Sequence, residues 1–446
     1  MAAGAPIIPG AGKTLEQLSV KTTRSYRLLL KGKAEDMIVY QIPVKYLYFN
    51  IKNGRYADKM IRIQAENKGV EIDPKSHEWK SKIQDMLLAK GKSVDANDKT
   101  AAERLREDMM ARRVQLNPGI VADDGGVLDG NRRLAVIREQ SWEYFDGVIL
   151  PPNTSVEDKW RIEAGIQMGR PLIHAYSPVN ELLKIREGLL LFKNLKNNGQ
   201  DPAPSKSAEQ LVAETLYGVE VNDVDESIQR IKLIDEYLNF IGMPERYDQI
   251  GDRAERFKEA LKIIRAAKGT WAPDDFGKLK AFLFHQIQVQ NMDNWQLRSI
   301  YQAIGGDPKA RGKKPTRLPS AEKHLRTNLP DPTEVQKLTR AIARAEDKNP
   351  IYTVNNGDEV KLNSTQDAQN EALKSTAEEF LHIATEERDR SEPIKILKGV
   401  LASLELVEAS KKKLSAPENE GPASKALHDI KTKVESLLST MEQRTN

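Results

Sequence analysis

The side chains in this sequence best placed to do chemistry stand together in Val127-Leu128-Asp129-Gly130-Asn131-Arg132-Arg133-Leu134-Ala135. An apolar strand end runs into a Gly turn, two adjacent guanidinium groups follow, and an amphipathic helix begins. A helix start presents free backbone N–H groups and a partial positive charge. Gly lets a ligand approach the backbone closely, and arginine holds phosphate oxygens through two parallel hydrogen bonds. The stretch therefore reads as an anion cradle. Gly130, Arg132 and Arg133 would bind phosphate; Asp129 and Asn131, which would orient the ligand or a metal-bound water, are the candidate catalytic residues.

Composition limits the other chemistry. The 446 residues contain no cysteine, which excludes disulfides, thiolate nucleophiles and Cys-ligated zinc. The six histidines, His77, His174, His285, His324, His382 and His428, have no metal-ligand spacing, so no metal site is expected from them. There is no Gly-x-Ser-x-Gly elbow. Hydrophobic residues make up 39% and charged residues 30% of the chain, mean hydropathy is −0.58, and no apolar run reaches the ~20 residues that span a bilayer. A cytoplasmic protein without a membrane partner is expected. The formal charge of +4 is too balanced to imply a polyanion partner for the whole chain, so any nucleic-acid surface must be local. Pro9-Gly10-Ala11-Gly12-Lys13-Thr14 ends as a P-loop does, but Ile7 stands where the leading Gly belongs. Residues 1–34 read as a flexible tail.

The cradle needs elements to hold it. Met37 to Tyr40 and Val44 to Phe49 are β-branched and aromatic, as in strands. Asn53-Gly54 gives a turn, Tyr56 to Lys68 a helix, and residues 76 to 113 are mostly helical with a break near Gly91. Ile120 to Ala122 and Val127-Leu128 flank a turn, and Val148 to Leu150 is another short strand. Strands interleaved with helices predict an α+β domain over residues 35–172.

In its order of elements and its motif this segment resembles the ParB/sulfiredoxin superfamily. Ile42-Pro43-Val44 matches the first strand, Gly130-Asn131-Arg132-Arg133-Leu134-Ala135 the Gly-x-Arg-Arg helix start, Gly165-Ile166-Gln167-Met168 a second phosphate-contacting box, and Ser177-Pro178-Val179-Asn180-Glu181 the start of the next helix. The resemblance implies a bound nucleoside triphosphate, with Mg2+, held by the turn together with Gln167 and Arg170. Three positions depart from the pattern. Asn131 replaces the usual Glu of ParB proteins, Gly165 and Met168 replace the Asn and Arg of the second box, and the catalytic Cys of sulfiredoxin would fall at Asn131, which excludes peroxide repair.

Beyond Pro178 the pattern is helical. Asn180 to Asn197, Ser207 to Leu216 and Asp225 to Leu238 resemble the helix-turn-helix that follows the ParB nucleotide domain, over residues 173–246. Its charge is unsuited to DNA: between Ser207 and Leu238 eight acids oppose Arg230 and Lys232, a net of −6. The basic footprint lies at Lys309, Arg311, Lys313, Lys314, Arg317, Lys323 and Arg326 against Glu322 alone, in a Gly/Pro-punctuated loop over residues 305–327. Lys309 to Arg317 are the candidate non-specific DNA contacts. Residues 247–348 otherwise read as helices with Phe257, Leu261, Ile264, Phe282, Leu283, Trp295 and Ile300 in the core. Residues 349–446 read as a hairpin, Ile351 to Leu362, followed by helices near 366–389, 394–413 and 423–443. In the last, Leu427, Ile430, Val434, Leu437 and Met441 repeat at coiled-coil spacing, in keeping with a homodimer or an intramolecular helical hairpin. Asp331 with Glu359-Val360-Lys361 copies a loose nuclease spacing, but Asp331 opens a helix.

The function expected is that of a ParB-like nucleotide- and DNA-associated protein of bacterial partition, transcriptional control or phage defence, with phosphate binding at the turn as the switch. One alternative is a metal-dependent nuclease or nucleotide phosphohydrolase using Asp129 with Asp123 or Asp124. Another is a non-catalytic subunit that docks a partner encoded nearby through its helices.

Overall fold

The computed structural model describes residues 6–30, 33–67, 72–88, 96–168, 176–200, 203–216, 219–305, 318–347, 364–409 and 417–442. The basic-loop residues Lys309 to Arg317, the hairpin at Ile351 to Leu362, Arg170 and the break near Gly91 lie outside them.

Six strands form one mixed sheet in the order β1-β2-β6-β4-β5-β3. The strands are β1 (Val20–Leu30), β2 (Lys33–Pro43), β3 (Tyr48–Phe49), β4 (Gly119–Val121), β5 (Gly126–Asp129) and β6 (Tyr144–Ile149). β1/β2, β2/β6 and β4/β5 are antiparallel, while β4/β6 and β3/β5 are parallel. Successive residues of a strand point to opposite faces, and both faces here are buried. Val121 and Val127 join Phe49, Ile83, Leu134, Ile137 and Phe145 on one side. Ile120 and Leu128 join Leu28, Leu30, Leu150 and Ile162 on the other. The first face is covered by α2 (Ala57–Glu66), α3 (His77–Leu87) and α5 (Asn131–Glu139), the second by α6 (Val156–Met168); α4 (Ala96–Arg112) packs against α5.

Within the segment expected to be a loose tail, residues 6–30 are folded. Thr14 and Gln17 form a capping box on the short helix α1 (Leu15–Leu18), Ile8 and Leu15 are buried, and the whole of β1 lies in this stretch. β1 pairs only with β2, and most of its side chains face solvent, so its polar sequence carries no hydrophobic alternation.

The rest of the described chain is helical: α7 (Pro178–Asn197), α8 (Ala208–Thr215), α9 (Val221–Phe240), α10 (Ala254–Ala267), α11 (Pro273–Val289), α12 (Asn294–Ala303), α13 (Pro319–Asn328), α14 (Pro332–Glu346), α15 (Ser364–Ala409) and α16 (Pro417–Glu442). Helix α7 starts as its sequence dictates, with Ser177 capping the Asn180 N–H and Pro178 in the first turn. It buries two faces. Val179, Leu182 and Leu183 pack with α9, α10 and α11, while Ile185, Leu189 and Phe192 pack with α6 and α8. Two expectations fail here. Trp295 is 57% exposed, its ring beneath the Arg388 guanidinium at 5.4 Å instead of in the core. The helices expected at 366–389 and 394–413 are one continuous α15, which runs through Pro393. No helix of the described residues is long and apolar enough to cross a membrane.

Candidate functional site

The expected turn forms as the sequence requires. β5 delivers Asp129, Gly130 adopts φ +96°, and α5 starts at Asn131 with no side chain capping it. A left-handed φ at this point accounts for the glycine, since a side chain there is strained. Its open Cα face is filled from inside the protein: a Cβ would meet the Phe145 ring and Arg133 Nη2 at 3.1 Å. Gly130 is thus required by the turn and its packing.

The side chains around the turn are joined in a line. Arg133 Nη2 donates to Asp129 Oδ2 at 2.7 Å, Gln167 Nε2 donates to Asp129 Oδ1 at 2.6 Å, and Arg55 Nη2 donates to Gln167 Oε1 at 2.6 Å. The chain runs Arg55, Gln167, Asp129, Arg133. The structure thus brings Asp129, Gly130, Arg133 and Gln167 together, as the sequence led us to expect, and adds Arg55. Arg132, half-buried, precedes Arg133 in the first turn of α5, and Asp129 pairs with Arg133. Arg133 also donates from Nη1 to the carbonyls of Asn117 and Pro118, tying the loop before β4 to the turn. These bonds use three of the five N–H groups of Arg133, so an anion would meet the remaining ones or displace one of these partners.

Asn131 has a different task from the catalytic one expected of it. It is buried; its Nδ2 donates to the Val127 carbonyl at 2.8 Å, and its Oδ1 accepts the Asn50 N–H at 3.1 Å. Both ends of the amide are engaged with backbone, which makes Asn131 a bracket between the β5 turn and the segment leaving β3. The alternative carboxylates are engaged as well. Asp124 accepts from Tyr48 OH at 2.5 Å and from the Gly126 N–H at 3.1 Å, and Asp123 lies 3.9 Å from Lys159 Nζ. Among the described residues no cluster of three His, Asp or Glu could hold a metal.

Comparison with known proteins adds nothing to this geometry. No family profile, curated protein or solved structure matches the chain.

Behind the turn lies a set of buried polar residues that sequence reading missed. Residues 50–56 pass between the sheet and α7, and their backbone must find partners there. Glu163 Oε1 accepts the Gly54 N–H at 2.9 Å, and Oε2 accepts from Lys184 Nζ at 3.0 Å and Asn50 Nδ2 at 3.3 Å. Asn180 accepts the Asp58 N–H at 3.0 Å and donates to the Arg55 carbonyl at 3.2 Å. Tyr176 OH donates to Glu163. Burial raises the Glu163 carboxyl above its usual range, against the pull of Lys184. Burial alone would lower Lys184, but Glu163 and Glu187 carry it above its ordinary value, so it stays a cation. Glu163 stands four residues before Gln167, one turn earlier on the same face of α6. That spacing was the available signal: a single face of α6 serves both the turn and the buried pair.

Four of the eight acids between Ser207 and Leu238 form ion pairs. Glu209, Glu214, Asp235 and Glu236 pair with Lys193, Lys206, Arg186 and Lys280 on or beside neighbouring elements. The nuclease-like Asp331 caps α14 through the Thr333 and Glu334 N–H groups.

Proposed function

We propose that the chain is a nucleotide-gated protein of the ParB-like kind, in which the β5–α5 turn takes the phosphates of a nucleoside triphosphate and passes the event to the helical region. The observation that carries this reading is the side-chain line Arg55–Gln167–Asp129–Arg133 at an α5 N-terminus that no side chain caps. A phosphate group at this point would accept from backbone N–H groups and guanidinium groups together. It would also compete with Asp129 for Arg133. Releasing Asp129 would free Gln167 and Arg55, and the Arg55 carbonyl is bonded to Asn180 of α7. Binding at the turn therefore has a covalent and hydrogen-bonded route into α7, the helix shared by two cores. Mg2+ would neutralise the remaining phosphate charge. DNA would be met through phosphate contacts by Lys309, Arg311, Lys313, Lys314 and Arg317, and self-association would use the apolar stripe of α16, where Leu427, Val434 and Leu437 are exposed.

Titration with a panel of nucleoside triphosphates, with and without Mg2+ and DNA, tests the proposal. Saturable binding that Arg132→Ala abolishes, without turnover, is the expected result. Absence of binding to every nucleotide overturns it, and Mg2+-dependent DNA cleavage lost in Asp129→Ala would instead assign the enzymatic role.

A further inference from the structure

At the other end of α5, away from the turn, a cleft of about 940 Å³ opens between the 3-10 turn that follows β2, the outer face of α3 and the α5–β6 loop. That volume lies in the range of small-molecule sites. Its wall combines three cations, Lys45, Lys80 and Arg138, with the rings of Tyr46 and Trp142, and His77 lies beside them. Two carboxylates, Asp85 and Glu143, share the lining.

Lys45 is exposed, but Lys80 and Arg138 are partly buried. Arg138 packs over the Phe49 ring at 4.7 Å and donates from Nη2 to the Leu47 carbonyl at 2.6 Å, while its Nη1 is buried without a hydrogen-bond partner. Burial brings this guanidinium down to about 10. Lys80 makes no ion pair among the described residues. Burial depresses it, and the charges acting on it are Arg138 and Lys75, which lower it further, and Asp73, which offsets part of this. Neither Asp85 nor Glu143 is among them. Two like charges lining one cleft and acting on each other are unfavourable for the empty protein, and that cost falls when an anion sits between them.

We infer that this cleft is a second ligand site, separate from the β5–α5 turn, and that it takes a phosphomonoester carried on a planar aromatic or heteroaromatic ring. The phosphate would lie between Lys80 and Arg138, and the ring would stack on Trp142 or Tyr46, whose faces are sequence-tolerant platforms for any flat π-system. Asp85 and Glu143 would receive hydroxyl or amino donors of the ligand, and they argue against a polyanion, which would meet them unfavourably.

Phenyl phosphate and inorganic phosphate are the probes for the full-length chain, read by tryptophan fluorescence and calorimetry. Saturable binding of phenyl phosphate at least tenfold tighter than that of inorganic phosphate is expected. Lys80→Ala should weaken it at least tenfold, and Trp142→Phe should remove most of the fluorescence change. Arg132→Ala at the turn should leave it unchanged, which separates failure of this inference from failure of the proposed nucleotide switch. Circular dichroism of Lys80→Ala checks that the variant is folded. No saturable binding, binding indifferent to Lys80, or binding abolished by Arg132→Ala would each overturn the inference.

Discussion

His285 makes the helical region sensitive to acid by an amount that follows from its surroundings. The ring is fully buried on α11, with Nδ1 3.1 Å from Thr339 Oγ1 of α14 and Nε2 3.1 Å from Asn370 Oδ1 of α15. Burial outweighs the hydrogen bond to Asn370 and pulls the imidazole from 6.5 to about 4. The folded state therefore binds fewer protons than the unfolded chain between these two values. Stability is complete above pH 6.5 and is lost as pH falls through the window towards 4. A shift of this size corresponds to about 3 kcal/mol once both values are passed, of which about 2.5 kcal/mol is gone at pH 4.5, at ~1.36 kcal/mol per unit. Urea unfolding followed by fluorescence, which reports on Trp271 in the same core, gives the quantity at pH 7 and pH 4.5. His285→Gln should reduce the difference between the two pH values by about 2.5 kcal/mol relative to the parent, since carboxylate titrations are common to both proteins. An equal pH dependence in parent and variant would refute the argument, because it would mean that the buried ring is already charged or never gains a proton.

Other outcomes can be checked alongside. Asn131→Ala removes the acceptor of the Asn50 N–H inside the protein and should destabilise the sheet domain by about 1–3 kcal/mol, measured by denaturant midpoint; an unchanged midpoint with lost nucleotide binding would return Asn131 to the catalytic role first expected of it. Gly130→Ala places a side chain at φ +96° and should cost about 1–2 kcal/mol. Gly188→Ala on α7 drives a Cβ to 2.1 Å from the Trp160 ring, so overpacking of about 1–3 kcal/mol should lower the melting temperature, and no change there would mean that α6 and α7 can slide apart freely. Leu437→Lys in the exposed stripe of α16 should convert a dimer to monomer in sedimentation velocity without altering the far-UV spectrum; a parent protein already monomeric at high concentration removes the dimer from the proposal.

What could be read in the sequence follows from how local its cause is. The β5–α5 turn and the Ser177-Pro178 start of α7 are set by neighbouring residues and lie where the spacing put them. Of the strand expected at Val44 to Phe49, by contrast, only Tyr48–Phe49 pairs, and Val44–Tyr46 is a 3-10 turn. β1 was missed because an edge strand with an exposed face needs no apolar alternation; its place comes from pairing with β2. Trp295 was misplaced because a ring can be sheltered by a cation from another helix, and Arg388 is 93 residues away, a partner that helical period cannot reveal. The same limit hid the bonds of Glu163 to Gly54 and Lys184, which join residues far apart in sequence. Asp129 and Asn131 differ in their surroundings. A half-buried carboxylate between two donors can exchange one of them for a ligand, whereas a buried amide bonded at both ends to backbone cannot leave without opening the sheet.

The placement of Lys184 has a bearing on how this chain could be divided. Composition draws a boundary near residue 172, and a fragment ending there would carry every strand of the sheet. It would nevertheless be cut from the cation that balances Glu163 and from Asn180, which fastens the Arg55 carbonyl. Leaving one member of a buried ion pair alone costs about 3–5 kcal/mol, a large part of what a domain of this size has to spare. The sheet with its turn is therefore not a portable module: the smallest piece that can be excised intact extends through α7, and a transplant of the turn into another protein would have to take that helix with it.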